Sequence, residues 1–397
     1  MKSLSSRTEK IAPSLTVAID TLAKTLIANG KDIVSLGAGE PDFPTPEHIR
    51  HYAQQAMDRG KTRYTAPVGI LEVREAVCRK LKRENGLDYK PNQIVMTSGA
   101  KHAVYNCFLA LLNEGDEVII PAPYWVTYPE LVKLVSGIPI FVESTAENKF
   151  KISAQDLEKA ITPKTKCVVL NNPCNPTGTV YSKGELEALA KVIRKHDLFC
   201  ISDEIYEHFV YEDTFTSVAA IEGMYERTLI VNGLSKSHCM TGWRIGYVAA
   251  PEPIALLIGK VQSQTTHHPS NIAQYGALAA LDGPFESVLQ MKKAFQERRN
   301  YMYNRLQKIP GVTVRLPEGA FYLFPTVSTL FGKHTPEGVL IDSSSSFCKY
   351  LLEFHGLAIV PGIAFGNDKS VRFSYAANMD TLQKACDRFE AGVKALL

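Results

Sequence analysis

A chain of 397 residues, 45% of them hydrophobic and 21% charged, is long enough for two to three domains built around sizeable cores. Its net charge of +3 is too small for a nucleic-acid surface or a polybasic membrane anchor. No apolar run approaches the ~18–20 residues of a membrane-spanning helix. The opening MKSLSSRTEKIAPSLTVAID lacks the continuous apolar stretch of a secretory signal, so a cytoplasmic protein is expected. Eight cysteines stand singly, with no CxxC pair, and read as buried or incidental thiols. The histidines show no HExxH spacing, and the neighbours His267 and His268 would diverge on a strand or a helix, so no metal site is expected.

The middle of the chain alternates short apolar runs with helix-like segments. In order the runs are QIVMTSG, EVIIPAP, PIFVES, KCVVLNNP, LFCISDEI, TLIVNGLS and RIGYVAAP, most of them closed by turn-forming residues. Helical patterns such as AKHAVYNCFLALLN and SKGELEALAKVIRKHD lie between several of them. This alternation predicts an α/β fold: a mostly parallel sheet covered by helices on both faces. Right-handed crossovers then bring the loops after the strand C-termini to one edge, where ligands bind. From about Gly283 the rhythm changes. The amphipathic stretch FESVLQMKKAFQERRNYMYNRLQKI is followed by VTVRLPEGAFYLFPTV, a helical segment near Phe347–Phe354, LAIVPGIAFG and SVRFSYA. A smaller α+β domain is predicted there, with turns at Pro310–Gly311 and Pro361–Gly362.

The strongest chemical signal is GLSKSHCMTGWRIGY. An isolated lysine is usually a solvated surface group. The small and apolar flanks of Lys236 instead suit a pocket lysine of lowered pKa, able to form a Schiff base with a carbonyl. Ser235 and Arg244 would add a hydroxyl and a fork of donors for a phosphate. In ISDEIYEHF, Asp203 ends a buried strand, with Tyr206 beyond it; an acid buried there needs a cation, unless it merely caps a helix. NNPCNPTG sets Asn171, Asn172 and Asn175 among prolines, either a plain turn or a rigid amide-lined loop. TSGAKHAVYN runs from strand into helix, so the amides of Gly99, Ala100 and Lys101 form an anion site at a helix N-terminus. The Gly-x-Gly of SLGAGEPDF lacks the third glycine of a dinucleotide fingerprint.

Taken in order, SLGAGEPDFPTP, RYTAPVGILEVREAV, PAPYWVTYPE, NNPCNPTG, SDEIYEHF, SKSHCMTGWRIGY and VRFSYA resemble the class I pyridoxal-phosphate (PLP) aminotransferases over essentially the whole chain. The resemblance is closest to the bacterial aspartate aminotransferases of the 1-gamma subgroup, some of which also act on prephenate. Cys239 departs from it slightly, since another small residue is usual there. The resemblance implies that Lys236 bonds covalently to the cofactor and later moves the substrate's α-proton. Asp203 would pair with the pyridinium nitrogen, and Tyr206 and Asn175 would hydrogen-bond the phenolic oxygen. Trp125 would stack on the ring. Ser235, Arg244 and the amides of Gly99, Ala100 and Lys101 would cup the phosphate, which Tyr64 would reach from a second subunit. Arg372 would grip the substrate α-carboxylate, helped by a backbone contact at Gly39, with Trp125 and Asn175 bordering the substrate.

The implied architecture is a type I PLP fold: 1–45 as an arm and part of the small domain, 46–285 as the large PLP-binding domain with a seven-stranded sheet, and 286–397 as the small C-terminal domain. A homodimer with shared sites is expected. The implied reaction is ping-pong transfer of the amino group between L-aspartate and 2-oxoglutarate through pyridoxamine phosphate, giving oxaloacetate and L-glutamate. A cation at Lys101 is unfavourable beside a helix N-terminus, and the matching lysine of 1-gamma enzymes faces the substrate's distal carboxylate. Members that accept prephenate tend to carry a basic residue just before Pro-Ser in the arm, where this chain has Ala12, so weak or absent prephenate activity is expected. The alternatives are a prephenate or aromatic aminotransferase, a PLP lyase, and a PLP-domain transcription regulator. The regulator would need a DNA-binding domain, for which the ~45 residues ahead of the first cofactor motif are too few.

Overall fold

The computed structural model describes residues 5–396; the first four residues of the arm and residue 397 lie outside the description. Each of the seven apolar runs is a strand: β1 Ile94–Thr97, β2 Glu117–Ala122, β3 Ile138–Glu143, β4 Thr165–Asn171, β5 Phe199–Asp203, β6 Thr228–Gly233 and β7 Gly246–Ala249. They form one sheet in the order β1-β7-β6-β5-β4-β2-β3. The β6-β5-β4-β2-β3 pairings are parallel, while β7 runs antiparallel to both β6 and β1. The reason lies in the link: 234–245 is a succession of turns without a crossover helix, so the chain can only return in the opposite direction.

Successive residues of each strand face opposite layers. Cys167 and Val169 of β4 join Val104, Phe108 and Ile258 of the helices Ala100–Leu111 and Glu252–Gln264. Val168 and Leu170 join Leu186, Leu189 and Ile193 of the helix Lys183–Lys195 on the other face. Burial on both faces is why the inner strands read as continuous apolar runs rather than as alternating ones; β3, at the edge, is largely exposed. Ser182 caps that last helix, accepting from the amide of Glu185.

A second layer is built from both chain ends. Val34–Ser35 pairs in parallel with Leu357–Ala358. Val371–Ser374 lies between Val360–Pro361 and Tyr322–Leu323, antiparallel to both. Val34 and Leu36 share one apolar cluster with Leu357, Phe373 and Phe389. The helix Glu286–Leu306 contributes Val288, Met291, Phe295, Met302 and Leu306 to the interior, the i, i+3, i+4 stripe of its amphipathic sequence. Among the described residues no helix is long and apolar enough to cross a membrane.

Candidate active site

Six strands, β1 to β6, run in one direction, and the residues just beyond several of their ends surround a cavity of about 380 Å³. Beyond β1, Gly99 turns the chain into the helix Ala100–Leu111 with φ of 86°, a conformation that favours glycine. A Cβ at Gly99 would lie 2.5 Å from Nη2 of Arg244, so the guanidinium rests directly against the turn. Arg244 itself has φ of 53°, and its Nη1 donates to the Thr241 carbonyl at 2.9 Å. Ser235, just past β6, is buried on the same cavity. Hydroxyl, guanidinium and helix N-terminal amides together make an anion cup.

Lys236 follows Ser235, and its ammonium donates to the carbonyl of Gly39. Burial pushes its pKa down to about 8, reinforced by Arg372 and Arg244 and opposed by Glu40 and Asp203. A Cβ at Gly39 would meet the Tyr322 hydroxyl at 2.8 Å, so glycine permits this close approach. Asp203 ends β5 fully enclosed. Tyr128 donates to its Oδ2 at 2.6 Å and the amide of Ile205 to its Oδ1 at 3.3 Å, both neutral donors. Burial therefore prevails and lifts its pKa to about 6.

Trp125 stands edge-on to Tyr128 with ring centres 5.3 Å apart, and Nζ of Lys101 sits 5.3 Å from its ring centre. Burial and the neighbouring Arg244 lower the pKa of Lys101. The hydroxyls of Tyr206 and Tyr322 share a 2.8 Å hydrogen bond. The backbone N–H of Asn175 donates to Oδ1 of Asn171 at 2.8 Å, and its side-chain Oδ1 accepts from Nη1 of Arg372 at 3.0 Å. Nη2 of Arg372 donates to the Gly37 carbonyl at 2.6 Å, and the guanidinium lies 4.6 Å from the Tyr322 ring centre. Its Nε is buried and, among the described residues, has no partner.

Eleven residues expected from the sequence line this one cavity: Gly39, Ala100, Lys101, Trp125, Asn175, Asp203, Tyr206, Ser235, Lys236, Arg244 and Arg372. Gly99 backs the Arg244 side of the cup. Tyr64 does not line it; its ring is 88% exposed and rests against His267 and His268, with centres 5.4 and 5.8 Å away. Sequence reasoning missed Tyr128, which follows Trp125 by one helical turn and supplies the donor a buried acid requires. It also missed Tyr322, and Thr16, Val17 and Asp20 on the helix Leu15–Ala28, which no local pattern marks as site residues.

A doubly covered sheet with a buried lysine, an uncompensated buried carboxylate and an anion cup at its C-terminal edge defines a carbonyl-handling enzyme with a phosphorylated ligand. Residues 31–389 match the family described as Aminotransferase class I and II, and the chain belongs to that family. It is 47% identical over 394 residues to the aspartate/prephenate aminotransferase of Cereibacter sphaeroides, covering 98% of each chain. It is also 47% identical to the aspartate aminotransferase of Bacillus subtilis over 393 residues, 98% of this chain and 99% of that one. The structure of the Rhizobium meliloti aspartate aminotransferase superposes with a TM-score of 0.97 at 41% identity over 100% of both chains. That of the Thermus thermophilus enzyme with maleate gives 0.93 at 42% identity, covering 99% and 100%. The resemblance read from the sequence motifs is borne out.

Proposed function

We propose that the chain binds pyridoxal 5'-phosphate and exchanges the amino group of L-aspartate with 2-oxoglutarate. Three features support the fit: an anion cup, a buried carboxylate with only neutral donors, and a buried lysine of lowered pKa, all on one cavity. Ser235, Arg244 and the amides of Gly99, Ala100 and Lys101 would hold the phosphate. Asp203 would keep a proton on the ring nitrogen, Tyr206 and Asn175 would serve the phenolic oxygen, and Trp125 would cover one ring face. When bound, the cofactor supplies an aldehyde for covalent attachment and a ring that accepts electron density from the substrate's α-carbon.

Arg372 binds the α-carboxylate, with its buried Nε and two Nη groups in a rigid fork. Lys236, nearly half neutral just below pH 8, would take the proton from the substrate's α-carbon and hold it for return. Gly39 and Tyr322 line the same cavity beside it. We further propose a homodimer in which Tyr64 serves the neighbouring site, supported by its exposure outside its own chain's cavity. The division into 1–45 with 286–397, and 46–285, is supported by the shared apolar cluster of both chain ends.

The observation that carries the choice of donor is Lys101. Lys101 lines the cavity between Trp125 and Arg244, whose like charge disfavours a second cation there until an anion reaches it, and with Arg372 it defines two carboxylate grips. Prephenate is the second reading, favoured by the name of the Cereibacter relative. At Ala12 the arm offers no cation; its backbone amide donates to Glu130 at 2.8 Å. Aspartate is therefore the main donor. Lys101→Ser is expected to raise the Michaelis constant for aspartate at least tenfold more than that for a neutral amino acid. Equal losses for both donors, or a wild-type preference for prephenate in a donor screen, defeat this reading.

A further inference from the structure

A second cavity, about 760 Å³ and so larger than the first, lies behind the lysine loop. Its walls come from the reverse side of the two segments that build the active site. Glu207 and His208 follow Tyr206, and His238 follows Lys236 by two residues. The volume falls within the range of small-molecule sites.

The polar floor already satisfies itself. Lys80 donates to Glu207 and to Asn85, the latter at 2.8 Å; Asn85 and Asn232 donate to Glu207 at 3.0 and 2.6 Å. His208 meets Glu84 at 2.9 Å. Glu84, Glu207 and His208 place ligand atoms within 4.8 Å of one another, but Lys80 stands among them and their lone pairs are engaged. A metal ion gains nothing there, and that cation site is empty.

Two groups are left unanswered. His238 is 3% exposed and held at Nδ1 by the Ser237 hydroxyl at 2.8 Å, and its Nε2 has no partner among the described residues. Burial keeps this ring neutral, with a pKa of about 3. Lys292, on the helix Glu286–Leu306, is half-buried and makes no ion pair among the described residues; burial lowers its pKa. Asp213 on the opposite rim is exposed and, among the described residues, accepts only from the amide of Thr214, at 2.7 Å. Between Lys292 and His238 the wall is apolar: Phe285, Val288 and Leu289, the last 56% exposed to the cleft and solvent. A ring there meets Phe285, which already stands edge-on to His208 at 5.1 Å.

We propose that this cleft is a binding site for a small apolar carboxylate of aromatic-ring size, its carboxylate on Lys292 and its body against Phe285, Val288 and Leu289. Arg83 on the same cleft is paired with Glu84, so among the described residues Lys292 is the lining cation without an ion pair; it selects one anionic group, and the saturated floor offers no grip to a second. The site is independent of the donor assigned to the active site.

The test is isothermal titration of the PLP-loaded protein with 3-phenylpropionate, on wild type and on Arg372→Ala, which removes the active site's carboxylate grip. Binding is expected to persist in Arg372→Ala. Adding Lys292→Met weakens it about tenfold or more, the loss of one charge-assisted hydrogen bond. Val288→Trp, which fills the cleft, abolishes it; should that variant fail to fold, Leu289→Trp at the exposed position replaces it. In an otherwise wild-type background Lys292→Met retains normal turnover of aspartate. If the assignment of Arg372 is wrong, wild type and Arg372→Ala titrate alike, and the Lys292 and Val288 variants still decide the cleft. No binding to Arg372→Ala, or binding that neither cleft substitution alters, overturns the proposal.

Discussion

Lys236 and Asp203 are displaced in opposite directions by one cause. Burial penalises the charged form of each, bringing the ammonium down to about 8 and the carboxyl up to about 6. The amine is thus nucleophilic near neutrality, and uptake of PLP by the apoprotein should accelerate about tenfold per pH unit up to about 8 and level off above it. Absorbance stopped-flow measures this; a flat profile between pH 6 and 8 contradicts the lysine's assignment. Lys236→Ala should fold yet form no borohydride-trapped adduct by mass spectrometry. Asp203 sets a stability prediction with a definite sign. Its folded pKa of about 6 exceeds the ordinary 3.8, so the ionised group destabilises the apoprotein above pH 6, and the penalty fades as pH falls towards 3.8. Apo Asp203→Asn should therefore be more stable than apo wild type at pH 7, by up to about 3 kcal/mol, while losing several orders of magnitude in turnover. Equal melting of the two apoproteins at pH 7, or undiminished turnover, would show that Asp203 carries no uncompensated charge.

At the scale of elements, the site depends on turns that only certain residues can make. Gly99 combines φ of 86° with Arg244 at van der Waals contact, so Gly99→Ala strains the backbone and displaces the guanidinium together. Expected is a loss of PLP affinity of tenfold or more, read by equilibrium dialysis, together with a lower melting temperature from the strained, buried turn. Unaltered affinity would mean that the cup lies elsewhere. The same elements explain what was legible in advance. Strands buried on both faces must be apolar throughout, and β1, β2 and β4 to β7 each coincide with such a run, while the edge strand β3 is apolar in sequence but largely exposed. The stripe Val288, Met291, Phe295, Met302 and Leu306 has helical spacing, so its helix was readable as well. Residues placed in the site by packing alone left no such trace. Tyr322 sits in a two-residue strand, and its hydroxyl matters only because Tyr206 and Gly39 arrive from distant segments.

Across the whole molecule the cavity is closed by contacts far apart in sequence. Lys236 to Gly39 and Arg372 to Asn175 are each separated by 197 positions, so the active site exists only when both chain ends have packed against the sheet domain. Such closure was readable for Arg372 and Gly39 through the family motifs alone, because no periodicity reports a contact of that range. One motif residue still lies apart. Tyr64 is held outside its own cavity, on a loop tied to the next layer by Thr65, whose hydroxyl donates to Asn271 at 3.1 Å, and by the bond from Asn271 to the carbonyl of Arg63. An exposed aromatic ring on a fastened loop suits a partner rather than solvent. Tyr64→Ala and Lys236→Ala should each inactivate their homodimers, the first through weakened PLP retention. Refolded together, they should regain activity. In a mixed dimer the Tyr64→Ala chain keeps its own Lys236 and receives Tyr64 from its neighbour, which makes one intact site out of two. If Tyr64 instead served its own chain, both sites of the mixed dimer would be defective and mixing would restore nothing. Turnover of the purified mixed dimer, separated by differential tags, distinguishes the two: about half the wild-type rate per dimer if the tyrosine crosses the interface, and none above the parent variants if it does not.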